Sequence, residues 1–341
     1  AAGTETETMT LRSGNVGICT SAPNTALTIS GAVSALSGYC SDSLANTKFG
    51  TQALCSNTTG SDNTALGKDS MRVNSSGCLN TAVGKDGLQV NTTGNYNTAT
   101  GVKALGSNTT GNYNTATGYL ALCANTTASF NVSFGACSLH SNTTGTYNGA
   151  FGYRALCANT TGSQNTASGY GALKCNTTAS ANTASGYQAL YKTTTGANNT
   201  GIGMRALNDN TTGAANTAIG SRALTTNTTG SNNTAVGIDS LCVNTTGACL
   251  VAVGSGALRK NTTGVRNTAV GGFALCSNTT GNFNTGSGYM ALQDNTTGCD
   301  NVATGFCTLH SNTTGCLNVA IGRRSMASNT TASFNVAVGA C

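Results

Sequence analysis

The chain repeats itself every 17 residues, and this period constrains its fold more than any other feature of the sequence. The motif Asn-Thr-Thr-Gly, or a close variant, recurs from Asn57 to Asn329 without insertion or deletion. The consensus is N-T-T-G-x-x-N-T-A-x-G-x-x-A-L-x-x, whose residues we number as positions 1 to 17 with Asn57 at position 1. Counted back to Cys40, 18 repeats begin between residues 40 and 329. A strict short period is the sequence signature of a solenoid, in which each repeat forms one coil.

The residues within each repeat indicate β-structure. Position 11 is glycine in all 18 repeats, from Gly50 to Gly339, and glycines this frequent interrupt helices. Repeats made of helical pairs need about 33 residues or more, whereas Thr- and Val-rich stretches favour strands. We therefore predict an all-β fold, a single parallel β-solenoid of about 18 coils with strands near positions 7–10 and 13–16. At ~4.8 Å per coil, this rod is roughly 80–85 Å long.

Alternation along a strand assigns positions to the inside and the outside of the coil. Position 9 is Ala in 14 of 18 repeats, which predicts a tight interior, and Leu at position 15 fills the remaining core. Position 7 is Asn in 17 of 18 repeats, with Leu250 the exception, and we expect it to form an inward ladder of stacked amides. Positions 8 and 10 then point outward. Apolar residues at position 10, such as Phe134 and Val236, favour packing against a neighbouring chain, whereas Thr100 and Ser168 fit a solvated strand.

The solenoid is predicted for residues 40–341, and residues 1–39 are different. Asn24–Leu27 repeat the Asn-Thr-Ala-Leu of Asn63–Leu66, but extra residues precede the next glycine. We interpret residues 1–39 as an N-terminal arm and a degenerate capping coil, since terminal repeats of solenoids are atypical. The small residues Ala1–Gly3 are typical of the end left by removal of a signal peptide.

The chain has 15 cysteines and no Cys-x-x-Cys pair, which favours disulfides over a zinc site and therefore an extracellular location. Residues in consecutive coils stack ~4.8 Å apart, within the ~4.4–6.8 Å that a disulfide spans between Cα atoms. Candidate bridges joining nearby coils are Cys157 with Cys175, Cys55 with Cys78, Cys276 with Cys299, Cys242 with Cys249, Cys307 with Cys316, and Cys123 with Cys137. The odd count also requires a free thiol or a bond to another chain, for which Cys341 with Cys19 or Cys40 are the candidates.

Sequons for N-linked glycosylation occupy almost every position 1, which predicts a glycan-coated rod. Alternatively, Asn-Thr-Thr serves as the turn itself, since Asn tolerates left-handed geometry and hydroxyls cap the backbone. Further sequons begin at Asn131, Asn198 and Asn232, and the neighbouring Thr hydroxyls are candidates for O-linked glycans. The position-1 candidates are Asn57, Asn74, Asn91, Asn108, Asn125, Asn142, Asn159, Asn176, Asn210, Asn227, Asn244, Asn261, Asn278, Asn295, Asn312 and Asn329.

Groups suited to catalysis are scattered. His140 and His310 both occupy position 16, ten coils apart, and Asp69 and Asp86 each sit beside a lysine, as in a solvated charge pair. The sequence contains no calcium-binding nonapeptide repeat, nucleophile elbow or P-loop. We therefore predict no enzymatic activity, no cofactor and no metal. The 16 Lys and Arg residues make no dense basic stripe for nucleic acid, and no apolar run is long enough to insert into a membrane.

Aromatic side chains recur at two positions that flank turns. We expect them to pack between coils or chains, with binding of sugars as the alternative. Position 6 carries Tyr96, Tyr113, Phe130, Tyr147, Phe283 and Phe334, and position 12 carries Tyr119, Tyr153, Tyr170, Tyr187, Tyr289 and Phe306.

The motif N-T-A-V-G of Asn233–Gly237 resembles the S-V-A-I-G-x-x-A repeats of YadA-type trimeric adhesin heads. The full consensus resembles arrays in phage tail-fibre and other surface proteins. The resemblance covers residues 40–341, and it implies a left-handed β-roll, trimeric assembly and an extracellular fibrous role. Thr ladders also resemble those of ice-binding solenoids, although the two Thr of each turn are adjacent and would point in opposite directions.

The expected function is mechanical. We expect the chain to be a structural subunit of an extracellular filament or appendage that polymerises head to tail through the open ends of its solenoid, since unpaired strand edges invite pairing. The alternative is a trimeric surface adhesin or tail-fibre shaft that binds a receptor or glycan, and a more distant one is an ice-binding protein.

Overall fold

The computed structural model describes residues 40–41 and 44–340. Among these residues it contains 19 short strands and no helix. Almost every strand occupies positions 8–10 of its repeat, so that each coil contributes one three-residue strand. The strands are β1 Cys40–Ser41, β2 Thr47–Phe49, β3 Thr64–Leu66, β4 Thr81–Val83, β5 Thr98–Thr100, β6 Thr115–Thr117, β7 Val132–Phe134, β8 Gly149–Phe151, β9 Thr166–Ser168, β10 Thr183–Ser185, β11 Thr200–Ile202, β12 Thr217–Ile219, β13 Thr234–Val236, β14 Val251–Val253, β15 Thr268–Val270, β16 Thr285–Ser287, β17 Val302–Thr304, β18 Val319–Ile321 and β19 Val336–Val338.

These strands form one sheet that runs along the solenoid. Strands β2 to β19 are parallel, and each residue pairs with the residue 17 positions further on, as Thr64 does with Thr81. The short β1 is the exception, because it pairs antiparallel with β2, Cys40 opposite Lys48. The predicted parallel β-solenoid with a 17-residue coil is thereby confirmed.

The second predicted strand, at positions 13–16, is wrong. Non-glycine residues at positions 13 and 15 adopt left-handed backbone angles in coil after coil, as in Asp86 (φ 58°) and Leu88 (φ 47°). Two left-handed residues separated by one other curl the chain into a tight arc, which an extended strand cannot follow. The arc turns the position-15 side chain inward, and Leu88 is completely buried.

Position 11 requires glycine in the structure as well as in the sequence. Gly50 has φ +134°, a region that only glycine enters readily, and a Cβ there would lie 2.5 Å from the carbonyl oxygen of Gly67 in the next coil. The same close approach recurs at position 11 along the stack. The glycine thus permits both the bend after the strand and the close spacing of the coils.

The core is a narrow column of small and branched side chains. Ala at position 9, Ala or Ser at position 14 and Leu at position 15 are buried in nearly every coil, as in Ala99, Ala104 and Leu105. The inward assignments of positions 9 and 15 are therefore confirmed. Because one Leu and two small residues fill each coil, the backbone on opposite sides lies close together, and inward polar groups must find partners within the stack.

Candidate functional site: ladders, outer columns and cysteines

The asparagine at position 7 links three coils through hydrogen bonds. The side-chain Nδ2 of Asn97 donates to Asn80 Oδ1 (3.1 Å) in the preceding coil and to the carbonyl oxygen of Gly111 (2.8 Å) in the following one. The backbone N–H of Asn97 also donates to Asn80 Oδ1, at 2.9 Å. Asn97 is fully buried, so the predicted inward amide ladder is confirmed.

A second asparagine ladder lies at position 1, inside the turn. Asn108 Nδ2 donates to Asn91 Oδ1 (2.8 Å) in the preceding coil and to the carbonyl oxygen of Gly111 (3.0 Å) at position 4 of its own turn. Where both asparagines are present, the carbonyl at position 4 therefore accepts one hydrogen bond from each ladder, as that of Gly111 does. The turn is closed by a buried amide rather than by an exposed one.

This geometry opposes the predicted glycosylation at position 1. The amide nitrogen is the atom to which an N-linked glycan would be attached, yet here it is buried and donates two hydrogen bonds. Only Asn57 and Asn329, in outer coils, are partly exposed. The fully buried candidates, where a glycan does not fit the folded coil, are Asn74, Asn91, Asn108, Asn125, Asn142, Asn159, Asn176, Asn210, Asn227, Asn244, Asn261, Asn278, Asn295 and Asn312.

Two other sequons lie on the surface. Asn198 and Asn232 occupy position 6 and are exposed, whereas Asn131 occupies position 7 and is buried. The two Thr of the turn also differ. Thr92 at position 2 donates its hydroxyl to the carbonyl oxygen of Thr109 in the next coil (3.0 Å), while Thr93 at position 3 is exposed.

The aromatic rings at position 6 stack along the solenoid axis. Tyr96 and Tyr113 have ring centroids 4.7 Å apart and planes inclined by 3°, and Phe130 and Tyr147 continue the stack at 5.2 and 5.0 Å. These rings are about half exposed. Because the inner rings cover each other's faces, they present mainly edges to solvent. Binding of sugars, which the sequence left open for this column, requires accessible faces.

A second apolar surface follows the outer side of the strands and the bend after them. We call the side chains at positions 10 and 12 the apolar band. Phe134 stacks on Phe151 with centroids 5.8 Å apart, and Tyr170 lies between Tyr153 and Tyr187 at 5.5 and 5.3 Å. The remaining members of the band that are strongly exposed are aliphatic, sulfur-containing or aromatic: Phe49, Val83, Val102, Tyr119, Ile202, Met204, Ile219, Ile238, Val253, Val270, Tyr289, Phe306, Ile321 and Val338.

Charged side chains concentrate on one part of the coil. Apart from Lys48 and Arg266, the Lys and Arg residues of the described part of the chain lie at positions 12, 13, 16 and 17. Some pair with a carboxylate in the next coil, as Lys192 does with Asp209 (2.8 Å) and Arg222 with Asp239 (2.7 Å). Both pairs involve well-exposed cations, so each contributes little to stability.

The structure does not assemble the scattered acids and histidines into one site. His140 Nδ1 lies 3.4 Å from the carbonyl oxygen of Leu120, whereas His310 lies beside Asp294 (3.6 Å) in another part of the stack. Asp86 forms the expected pair with Lys85 (3.9 Å), but its carboxylate is buried rather than solvated, and its Oδ1 accepts a hydrogen bond from Gln89 Nε2 (3.1 Å). Residues 44–340 contain no group of three or more His, Cys, Asp or Glu side chains arranged to hold a metal ion. In the part of the chain that the structure describes, no helix is long and apolar enough to cross a membrane.

The predicted intramolecular disulfides are absent from the structure. All twelve candidate cysteines are free thiols: Cys55, Cys78, Cys123, Cys137, Cys157, Cys175, Cys242, Cys249, Cys276, Cys299, Cys307 and Cys316. The structure brings some predicted partners near each other. After burial, Cys137 contributes to the raised pKa of Cys123, and at Cys157 both Cys137 and, to a smaller extent, Cys175 do so. The predicted intermolecular link lies outside the described residues, which exclude Cys19, Cys341 and the side chain of Cys40.

Burial dominates the chemistry of four of the five cysteines at position 16, the exposed Cys55 being the exception. It raises the pKa of the Cys123, Cys157, Cys242 and Cys276 thiols, and desolvation of the thiolate is the largest cause in each case. At Cys276, nearby Arg259 and Lys260 act in the opposite direction. These thiols are therefore less reactive than ordinary exposed ones.

Position 5 forms a column that the sequence analysis did not identify. The backbone N–H of Cys78 donates to Asn95 Oδ1 (2.8 Å) in the next coil, and the N–H of Asn95 donates to Asn112 Oδ1 (2.7 Å). Ser and Cys side chains accept the same bond elsewhere in the column, as Ser129 Oγ does from Asn112. The signal was present in the sequence, because position 5 is mostly Ser, Asn or Cys.

Comparison of the sequence with protein-family models and with curated proteins finds no match.

Proposed function

We propose that this chain is a structural rod, a subunit of an extracellular filament or appendage. The observation that carries the proposal is the unbroken register of the stack. Eighteen parallel strands follow one another at the same 17-residue interval. Two buried asparagine ladders also join neighbouring coils, one through residues such as Asn97 at position 7 and the other through residues such as Asn108 at position 1. A rod held by hydrogen bonds between all neighbouring coils resists bending and local opening.

End-to-end association follows from the repetition of the coil. Apart from the coils that contain Thr193 and Leu250, an inner coil presents to its successor the same ladder donors and acceptors that it receives from its predecessor, for example Asn63 to Asn80 and Asn80 to Asn97. We propose that the end coils of two copies associate through the same donors and acceptors, which at the first coil requires displacement of β1 from β2. Such a contact is heterologous, and when it does not close into a ring it gives a filament.

A second candidate function is a laterally assembled shaft, such as a trimeric adhesin or tail fibre. The apolar band favours it, because Ile202, Ile219 and Val253 are each more than a third exposed along one line of the rod. Surfaces of this kind mark sites of protein association. Receptor or glycan binding would then belong to the assembled surface.

Electron microscopy and light scattering of the purified full chain test both candidates. Filaments with an axial repeat near one rod length, roughly 80–85 Å at ~4.8 Å per coil, support end-to-end assembly. Discrete rods of one length with the mass of a trimer support the lateral shaft instead. Single rods that stay monomeric at high concentration, with no association of either kind, contradict the structural-subunit proposal.

A further inference from the structure

Two cysteines of the position-5 column occupy consecutive coils. Cys316 Sγ lies 3.1 Å from the backbone nitrogen of Cys299 and accepts its hydrogen bond. Both thiols are half-buried. Each also donates to the carbonyl oxygen two residues earlier, of Thr297 for Cys299 (3.3 Å) and of Thr314 for Cys316 (3.5 Å). The two thiols therefore have the same orientation and lie one above the other.

We propose that Cys299 and Cys316 are an oxidation site at which a disulfide joins consecutive coils. Residues one coil apart are ~4.8 Å from each other, inside the ~4.4–6.8 Å that a disulfide spans between Cα atoms. Rotation of each cysteine side chain about its Cα–Cβ bond breaks its weak hydrogen bond to a threonine carbonyl and brings the two sulfur atoms together, so that the disulfide can form. The bridge closes a loop of a single coil and prevents these two coils from separating.

The oxidation proceeds by thiol–disulfide exchange with a small-molecule disulfide such as oxidised glutathione. The Cys299 thiolate attacks one sulfur of that molecule, forming a mixed disulfide and releasing one glutathione thiolate. The Cys316 thiolate then attacks the Cys299 sulfur and releases the second. Two cysteine thiols are oxidised to one disulfide, one oxidised glutathione is reduced to two thiols, and the two protons pass from the cysteines to glutathione.

This pairing differs from the bridges that spacing alone suggested for the same cysteines, Cys276 with Cys299 and Cys307 with Cys316. Cys276 and Cys307 occupy positions 16 and 13 of the repeat, whereas Cys299 and Cys316 both occupy position 5. Cys299 instead has Cys316 directly beside its backbone. Identical positions in consecutive coils are thus better placed than positions 16 and 5.

Cys78 provides a matched control within the chain. It occupies position 5 as well, and its Sγ accepts a hydrogen bond from the backbone N–H of Ser61 (3.3 Å). Its neighbours in the column are Ser61 and Asn95, so no cysteine stacks on it. It should form only a mixed disulfide with glutathione, which dilute reductant removes.

The test is peptide mapping of the folded full chain after equilibration in a glutathione redox buffer and blocking of free thiols with N-ethylmaleimide. Chymotrypsin cleaves after the Leu and Phe residues of this segment. The four cysteines are thereby released on separate peptides: Cys276, Cys299, Cys307 and Cys316. We expect the cross-link between the Cys299 and Cys316 peptides to be the dominant one of this segment. Recovery of both as blocked thiols, or their linkage to Cys276 or Cys307, would overturn the proposal.

Serine variants keep the test independent of folding defects. Serine accepts the position-5 hydrogen bond elsewhere, as Ser333 does from Cys316, so Cys316→Ser should retain the fold. Oxidation should raise the guanidinium midpoint of the wild-type chain and of Cys276→Ser, and Cys316→Ser should lose that rise. A rise that survives in Cys316→Ser would contradict the assignment. The inference does not depend on filament formation.

Discussion

Two coils interrupt the asparagine ladders, and they do so in different ways. In the coil that begins at Thr193, threonine replaces the position-1 asparagine, and Asn176 Oδ1 is left buried without a hydrogen-bond partner. On the other side, Asn210 Nδ2 lies 3.5 Å from Thr193 Oγ1, compared with 2.8–2.9 Å in most regular coils. The threonine hydroxyl is too short to reach both neighbours.

In the other interruption, Leu250 replaces the position-7 asparagine. Its backbone N–H still donates to Asn233 Oδ1 at 3.0 Å, so the oxygen of the asparagine in the preceding coil keeps a hydrogen-bond donor. Above it, the leucine offers no oxygen to Asn267, whose side chain retains only the bond to the Gly281 carbonyl (2.7 Å). Leu250 is fully buried, and its apolar contacts offset part of the loss. Replacing a ladder asparagine by a polar residue that leaves its neighbours unpaired therefore costs more folding stability than replacing it by an apolar residue that packs well.

The largest predicted effect is the removal of an asparagine from an intact ladder. Asn159 donates to Asn142 Oδ1 and to the Gly162 carbonyl, and it accepts from Asn176 Nδ2. Asn159→Ala should lower the free energy of unfolding by about 3 kcal/mol, because buried partners are left unpaired. Asn176→Ala should cost about 1 kcal/mol less, since its Oδ1 already has no partner. Guanidinium unfolding of both variants measures the difference, and equal losses would contradict this view of the Thr193 coil.

Repair of the same interruption should stabilise the chain. Thr193→Asn supplies the amide nitrogen that Asn176 Oδ1 lacks and an oxygen for Asn210 Nδ2. We expect a gain of about 1–2 kcal/mol, the usual cost of a buried unpaired acceptor. Hydrogen exchange should show slower opening of the coils on both sides. Thr193→Val has a similar shape and no donor, so it is the control, and a gain of the same size in that variant would point to packing instead.

Much of this architecture could be predicted from the sequence, and the failures have a common cause. The period, the inward Ala and Leu and the position-7 ladder follow from small or amide residues recurring at fixed positions. The second strand failed because the composition of the stretches between the glycines was taken to mean extended backbone throughout, whereas Leu88 is turned inward by left-handed angles. Glycosylation was predicted for Asn108 because the sequon is a local motif, and only the fold shows its nitrogen to be buried. Disulfide pairs were assigned by spacing, which does not show which columns meet.

Repair of the second interruption should have a smaller effect. Leu250→Asn restores an acceptor for the backbone N–H of Asn267 but removes a fully buried leucine side chain. The two contributions, about 1–2 kcal/mol for the restored bonds and about 2 kcal/mol for lost apolar burial, nearly cancel. We therefore expect a change of less than about 1 kcal/mol in the free energy of unfolding. Leu250→Ala removes the buried leucine side chain without restoring a hydrogen-bond acceptor, so it should be clearly destabilising. A nearly unchanged free energy of unfolding in that variant would show that the packing of Leu250 does not offset the interruption.

The smallest predicted effect concerns the ion pair beside the Thr193 interruption. Lys192 Nζ lies 2.8 Å from Asp209 Oδ1 in the next coil, with the lysine side chain more than half exposed. The hydrogen bond to Asp209 raises the pKa of Lys192. A raised lysine pKa means that the pair stabilises the folded chain fully below the unfolded value of about 10.4 and loses this contribution as the pH rises through the folded value. Asp209→Asn should therefore cost at most about 0.5 kcal/mol at pH 7, less in high salt, and nothing once Lys192 is deprotonated. Urea unfolding at pH 7 and pH 11.5 measures this, with Asp294→Asn as a control carboxylate that pairs with His310 instead. A larger cost at the higher pH would show that Asp209 acts through contacts other than its charge.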